Sequence, residues 1–130
     1  AGRLVTCTVY HAPSEEAALG LAKSVITSSL VKTAMFGRDA NWGRVLCAMG
    51  YAGQPLSPEK VDVYFKSSAG EIKVCENGEG LDFDEELASR VLTEKEVVIL
   101  ADLKEGEAEA TAWGCDLTYD YVKINGDYRS

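Results

Sequence analysis

The stretch Lys32–Gly50, KTAMFGRDANWGRVLCAMG, guides the interpretation of the whole chain. Its apolar residues recur at helical spacing and predict a helix whose buried face is made by Trp42, Val45, Leu46 and Met49. Asp39 precedes this pattern, and we expect it to cap the helix by accepting hydrogen bonds from free backbone N–H groups. Burial alone does not require the glycines and arginines of this stretch. This stretch therefore predicts a capped core helix in which the glycines and arginines have a role other than burial.

The residues before Gly37 predict a strand, a helix and a second strand. Apolar residues alternate with threonines in a strand whose buried side is made by Val5, Cys7 and Val9. Ser14 is expected to cap a helix that ends near Thr27. We interpret the short apolar segment Leu30–Phe36 as a buried strand, ended by Gly37.

The residues after Gly50 predict a hairpin followed by a short helix. Val61–Phe65 alternates between apolar and polar residues, and Glu71–Cys75 returns as its partner after a turn. Asp82 or Asp84 is then expected to cap a short helix that continues through Arg90.

The C-terminal third predicts a second hairpin and a final helix. Lys95–Leu103 is rich in β-branched residues, and a turn at Glu105–Gly106 joins it to a strand over Ala108–Cys115. We expect a helix over Leu117–Ile124, capped by Asp116 or Thr118.

This order of elements predicts an α+β fold in a single domain over residues 1–130. Strands joined by tight turns pair antiparallel, and the helices must cover a face of the sheet that they form. We therefore expect a layered domain with a mixed, largely antiparallel sheet packed against helices.

The composition excludes several classes of function. The net charge of −8 disfavours a nucleic-acid partner, because phosphate binding requires basic residues. The apolar runs are too short to span a bilayer, so no membrane partner is expected. The four cysteines are far apart in sequence, which favours free buried thiols over a disulfide framework.

Common catalytic motifs are missing from the sequence. The single histidine, His11, follows a strand and reads as a surface or capping residue. Without a second histidine or a cysteine pair, no metal site is expected. The glycines fit neither a dinucleotide-binding nor a phosphate-loop motif.

Two groups of residues remain as candidates for function. Arg38 and Arg44 can hold a carboxylate-bearing ligand or order the groups around it, although pairing with nearby carboxylates within the fold is the simpler interpretation. In the C-terminal YDYVKINGDYRS, Asn125 and Ser130 can present polar groups to a pocket, whereas the simpler interpretation is a frayed tail.

Two long stretches carry a resemblance to a known family. SSLVKTAMFGRDANWGRVLCAMGYAG and CDLTYDYVKINGDYRS resemble segments of the bifunctional ornithine acetyltransferase / N-acetylglutamate synthase of arginine biosynthesis. The opening GRLVTCTV resembles the strand that follows the acidic, glycine-rich active-site loop of that family. The resemblance covers essentially the whole chain and identifies it as the C-terminal portion of the family's β chain.

The resemblance implies an acetyltransferase that processes itself. Members cleave before a threonine, which becomes the N-terminal nucleophile and carries acetyl from N2-acetylornithine to glutamate. Its free amino group can act as the base that a weak hydroxyl nucleophile needs. The fold implied is a larger α/β sandwich of the N-terminal-nucleophile-like type, to which this domain contributes a part.

The family's substrate-binding positions fall partly within this chain. They match Asn125 and the terminal Ser130, where members usually have threonine. The nucleophilic threonine, the oxyanion-hole residues and a substrate-binding lysine lie upstream of Ala1, so no catalytic residue is expected here and the chain alone should be inactive. Ala40 replaces a proline common in relatives, which affects helix entry more than chemistry.

The resemblance also implies partners, with two alternatives left open. The partners are N2-acetylornithine, glutamate, the α chain and the rest of the β chain, in a higher oligomer of α/β heterodimers. No cofactor is implied, and acetyl-CoA is the co-substrate of bifunctional members. A cytoplasmic location is expected, or the mitochondrial matrix for a fungal source. The alternatives are a self-processing amidase or peptidase of similar fold and a non-enzymatic assembly or ligand-binding domain.

Overall fold

The described residues form one mixed β-sheet with helices on one face. The structure is a computed structural model that describes residues 3–115 and 122–124. The strands are β1 (Leu4–Ala12), β2 (Asp62–Ser67), β3 (Gly70–Glu76), β4 (Glu79–Gly80), β5 (Glu96–Asp102), β6 (Ala108–Cys115) and β7 (Val122–Ile124). The helices are α1 (Glu15–Thr27), α2 (Ser29–Phe36), α3 (Trp42–Gly50) and α4 (Glu85–Thr93), with a short 3₁₀ turn at Pro58–Lys60.

The described strands form a seven-stranded sheet in the order β4-β3-β2-β5-β1-β6-β7. β1 and β5 pair in parallel, and every other neighbouring pair is antiparallel. This confirms the predicted α+β class with a mixed, largely antiparallel sheet.

The predicted second hairpin is wrong. β1 lies between β5 and β6, so these two consecutive strands do not pair with each other. The residues between them cross the end of β1, where a Cβ on Gly106 would lie only 2.3 Å from the Ala12 carbonyl oxygen. The turn signal between the two strands therefore marks a crossover, because β1 lies between them and pairs with both.

The strand predicted over Leu30–Phe36 is also wrong, because these residues belong to α2. The Ser28 hydroxyl accepts a hydrogen bond from the Val31 N–H at 3.2 Å and begins the helix. The buried residues Val31, Ala34 and Met35 then recur at helical spacing. Apolar content alone does not distinguish a short buried helix from a buried strand.

The structure describes residues 122–124 of the final helix predicted over Leu117–Ile124, and there it contradicts the prediction. Val122–Ile124 is strand β7, whose Ile124 lies opposite Ala112 of β6. β-branched residues suit such pairing, and the exposed edge of β6 supplies the backbone partners. The suggested caps Asp116 and Thr118 lie outside the described residues.

Other predicted starts and ends agree with the structure. The Ser14 hydroxyl accepts from the Ala17 N–H at 3.1 Å, and α1 ends at Thr27 as expected. Asp84, one of the two candidates, caps α4 through its contacts with the N–H groups of Glu86 and Leu87. The hairpin of β2 and β3 forms as predicted.

The helices cover one face of the sheet and leave the other open. The covered face includes the core residues Val5, Cys7, Val9, Val63, Phe65, Val97, Ile99, Ala101 and Ala112. The opposite face of the central strands is only half-buried and mixes apolar and hydroxyl side chains, among them Leu4, Thr6, Thr8, Val98, Leu100 and Trp113. A sheet needs a layer on each apolar face, so this open face is suited to packing against further polypeptide.

Candidate functional site

α2 ends in a tight reversal that leads into the Arg38–Arg44 segment. The Asp39 N–H donates to the Ala34 carbonyl at 2.8 Å, and the Arg38 N–H donates to the Met35 carbonyl at 3.1 Å. Arg38 adopts a left-handed backbone with φ of 57°. This is the position at which helix ends of this kind usually place glycine.

The cap of α3 is Asn41, not Asp39. The Asn41 Oδ1 accepts a hydrogen bond from the Arg44 N–H at 3.0 Å, and its Nδ2 donates to Asp39 Oδ2 at 3.1 Å. Asp39 therefore orients the capping amide and does not cap the helix itself. Both residues lie close enough to the start of α3 to be capping candidates. Asp39 belongs to the reversal after α2, which leaves the capping position to Asn41.

The predicted apolar stripe of α3 packs against the core. Val45 and Met49 are buried, while Trp42 and Leu46 are partly buried against the same cluster. The Trp42 ring lies against Gly80 of β4, where an added Cβ would come within 2.6 Å of Trp42 Cζ2. Gly80 thus provides the room that Trp42 needs.

Arg44 and Arg38 differ in their contacts. The Arg44 Nη1 donates to the Leu30 carbonyl oxygen at 3.1 Å and so ties α3 to α2. The expected pairing of Arg44 with a carboxylate is not the contact that forms. Arg38 is exposed, and no residue within 3–115 or 122–124 accepts a hydrogen bond from its guanidinium group.

Arg3 connects the start of β1 to the same region. Its guanidinium group donates to the carbonyl oxygens of Met35, near the end of α2, and Leu92, near the end of α4. The C-terminal ends of helices carry partial negative charge and favour cations. No local pattern in the sequence indicates this contact, since both partners are backbone atoms far along the chain.

A second polar cluster, which we call the Asp62 cluster (Asp62, Lys73, Glu76, Asn77 and Lys104), lies at the other end of the sheet. Asp62 is only 5% exposed. Its carboxylate accepts from Lys104 Nζ at 2.9 Å, Lys73 Nζ at 3.3 Å and the Asn77 N–H at 2.9 Å. Lys73 also contacts Glu76 at 2.8 Å. Sequence reasoning missed this cluster, because its members come from separate strands and loops.

The pKa of Asp62 reflects these contacts. Burial raises the pKa of the carboxyl group, but hydrogen bonds from Lys104, the Asn77 N–H and Lys73 outweigh it and leave the pKa below its ordinary value. The hydrogen bond to Glu76 is the main cause that raises the pKa of Lys73. Both groups therefore remain charged near neutral pH.

His11 adjoins this cluster as an exposed residue, as predicted. Its backbone is left-handed with φ of 57°, and its Nδ1 donates to Asp102 Oδ1 at 2.7 Å. Asp102 also accepts from the Lys104 N–H at 3.1 Å. His11 therefore fixes the loop after β5 to the end of β1.

The cysteines of the described residues are free. Cys7 and Cys75 are buried as predicted, and burial raises the pKa of the Cys7 thiol to about 12. Cys47 is exposed on α3, so its predicted burial is wrong. Its position lies opposite the Val45 and Met49 side of that helix. The side chain of Cys115 lies outside the description.

The two residues expected to contact substrate, Asn125 and Ser130, lie outside the described residues, so their role remains a prediction. Within residues 3–115 and 122–124, no three His, Cys, Asp or Glu side chains gather closely enough to hold a metal ion. In the same residues, no helix has the length and apolar character needed to cross a bilayer.

Comparison with known proteins places the chain in one family. The bifunctional arginine biosynthesis protein ArgJ of Caldanaerobacter subterraneus is 56% identical over all 130 residues, which make up 32% of that relative. A glutamate N-acetyltransferase of Methanopyrus kandleri is 47% identical over 130 residues, 33% of its length. The chain thus spans about a third of the length of the curated relatives that it matches.

A solved structure and a family model agree with these relatives. The crystal structure of the bifunctional protein ArgJ from Bacillus halodurans superposes with a TM-score of 0.82 at 40% identity, covering 92% of this chain and 55% of that one. The model of the ArgJ family matches residues 1–130. The chain belongs to the ArgJ family.

Proposed function

We propose that the full-length protein transfers acetyl from N2-acetylornithine to glutamate, giving ornithine and N-acetylglutamate. The observation that carries this proposal is the match of the family over the whole chain, with a relative named glutamate N-acetyltransferase 47% identical throughout. The nucleophile is a threonine upstream of Ala1, which carries the acetyl group between the two substrates. No cofactor is required, and acetyl-CoA is a second acetyl donor if the protein is bifunctional.

This chain supplies part of the scaffold and part of the substrate contacts. The open face of the sheet is the surface on which the remainder of the α/β sandwich packs. Asn125 offers an amide that can donate to a carboxylate and accept from an ammonium group. Ser130 offers a hydroxyl group. Both follow β7, which is held at the edge of the sheet by its pairing with β6.

The partners follow from the same proposal. The α chain and the rest of the β chain complete the active site, and α/β heterodimers assemble into a higher oligomer. The location is the cytoplasm in a bacterium, or the mitochondrial matrix, as for the Fusarium vanettenii relative named mitochondrial. Isolated residues 1–130 lack the nucleophile and have no activity.

The test is a product analysis of the purified full-length protein with N2-acetylornithine, in the presence and absence of glutamate. We expect N-acetylglutamate and ornithine in equal amounts when glutamate is present. If free acetate is released and the addition of glutamate does not change this, the self-processing amidase or peptidase would be supported instead. No reaction with a correctly cleaved protein would support a non-enzymatic domain.

The substrate contacts have their own test. Deletion of Asn125–Ser130 in the full-length protein is expected to raise KM for glutamate and for N2-acetylornithine, because both share the α-amino-acid group that these residues are proposed to bind. Unchanged KM values for both substrates would contradict the assignment of Asn125 and Ser130.

A further inference from the structure

We propose that the corner Phe36–Asp39, at the end of α2, is the docking surface for the polypeptide that directly precedes Ala1 in the full-length protein. In this arrangement Phe36 is an apolar anchor, and Arg38 pairs with an acidic side chain of the docked segment. The inference rests on the proposed function, since it requires the longer chain of which residues 1–130 are a part.

Arg3 brings the start of the chain to this corner. Its guanidinium group donates to the carbonyl of Met35, the residue directly before Phe36, and to that of Leu92. One arginine side chain thus spans the distance between the beginning of β1 and the end of α2. Arg3 is the first residue that the structure describes, and its side chain reaches the residue that precedes Phe36.

Arg38 combines a left-handed backbone with an exposed side chain. A left-handed conformation costs a non-glycine residue roughly 1–2 kcal/mol, and glycine is the usual residue at this position of a helix end. Arg38 has φ of 57° and is exposed, and it forms no hydrogen bond or ion pair with the described part of the chain. A guanidinium group held in this way is available to a carboxylate.

Phe36 gives the corner an apolar component. Its side chain is 73% exposed, although Met35 and Ala34 beside it are buried. A single exposed aromatic residue is ordinary on a protein surface. Here it lies two residues from Arg38, which has no carboxylate partner among residues 3–115 and 122–124, and next to Met35, which Arg3 contacts. An occupant that carries both an apolar and an acidic side chain fits this pair.

Substitution of Arg38 by Asn in the full-length protein tests the ion pair by the sign of its effect. Asn tolerates the left-handed backbone better than Arg, so the backbone alone predicts an equal or higher midpoint of thermal unfolding. Docking predicts a lower midpoint for Arg38→Asn than for the parent protein. Arg38→Lys should restore part of this loss, and the difference between the Asn variant and the parent should shrink at high salt. An Asn midpoint equal to or above that of the parent protein overturns the pairing.

A photo-crosslinker identifies the occupant. Benzoylphenylalanine at position 36 of the full-length protein is expected to give an intramolecular product that joins this residue to a peptide upstream of Ala1. The same group at Tyr51, which is 84% exposed at the end of α3, serves as the control and should not label that peptide. Products with a second copy, products confined to residues 1–130, or no product overturn the proposal.

Failure of this inference is distinguishable from failure of the proposed function. A protein that transfers acetyl normally but gives no upstream cross-link contradicts the docking surface alone. A protein that cross-links as expected but transfers no acetyl contradicts the proposed function alone.

Discussion

Asp62 shows how a single buried charge can organise the end of a sheet. It lies at the start of β2 and joins β3 through Lys73, the turn after β3 through Asn77, and the segment after β5 through Lys104. Nearly buried charges are stable only when paired and hydrogen-bonded, as this one is. The cluster therefore holds together strand ends that are distant in sequence.

Replacement of Asp62 by Asn should destabilise the full-length protein. The two lysines and the Asn77 N–H would exchange a nearly buried charged acceptor for a neutral amide oxygen, which typically costs about 1–3 kcal/mol. Glu105→Gln is the matched control, because Glu105 pairs with the exposed Lys60 at 3.1 Å and its loss should change little. Urea unfolding at neutral pH measures both, and equal effects would contradict the role of the Asp62 cluster.

The contribution of Asp62 should also depend on pH. Its folded-state pKa is lowered from 3.8, so the stabilisation is complete well above that value. It is lost as pH falls through the still lower folded pKa. The difference in unfolding free energy between the parent protein and Asp62→Asn should therefore shrink in acid. A difference that stays constant down to pH values below about 3 would contradict this assignment.

At the scale of elements, the capping residues at helix ends determine where a helix forms and starts, which the apolar pattern alone does not show. α2 is a helix because Ser28 caps it, although its sequence also reads as a short apolar strand. Asn41 caps α3 because Arg38 and Asp39 belong to the reversal after α2. In both cases the deciding contact is a hydrogen bond between residues three apart in sequence, which the apolar pattern does not reveal.

The cap of α3 can be tested by comparing two substitutions. Asn41→Ala should lower the free energy of unfolding by about 1 kcal/mol, because the Arg44 N–H loses its partner. Asp39→Ala should cost less, since the Asp39 carboxylate accepts from Asn41 Nδ2 and acts on the cap only indirectly. The reverse order in denaturant unfolding would restore Asp39 as the cap.

The contact between Trp42 and β4 gives a second prediction for an element. Gly80→Ala should destabilise the protein by about 1–3 kcal/mol, because its Cβ would meet the indole ring. Gly50→Ala is the matched control at the end of α3, where a Cβ meets no atom within 4 Å. Thermal unfolding of the two variants should separate them, and equal midpoints would contradict close packing at Gly80.

The sequence predicted the long, regular elements better than their connections. The alternation of Val5, Cys7 and Val9 and the Ser14 cap correspond to β1 and α1 as found. The pairing of β5 and β6 with β1 could not be read locally, because strand order is decided by contacts between distant residues. The same holds for Arg3 and the Asp62 cluster, whose partners are backbone atoms or lie on other strands.

At the scale of the whole molecule, the most informative feature is the open face of the sheet. Helices bury one side, while Leu4, Val98 and Leu100 remain half-buried on the other. The chain spans about a third of its curated relatives and 55% of the solved chain from Bacillus halodurans. Under the proposed function, polypeptide beyond residues 1–130 supplies both the second layer of the sandwich and the nucleophile.

The most direct test of this account follows a labelled acetyl group through the full-length protein. N2-acetylornithine carrying the label is added without glutamate, and peptides are analysed by mass spectrometry before and after glutamate is supplied. We predict label on an N-terminal threonine upstream of Ala1, which then moves to N-acetylglutamate. Label that never resides on the protein, or that leaves only as acetate when glutamate is added, would contradict the proposed acetyl transfer.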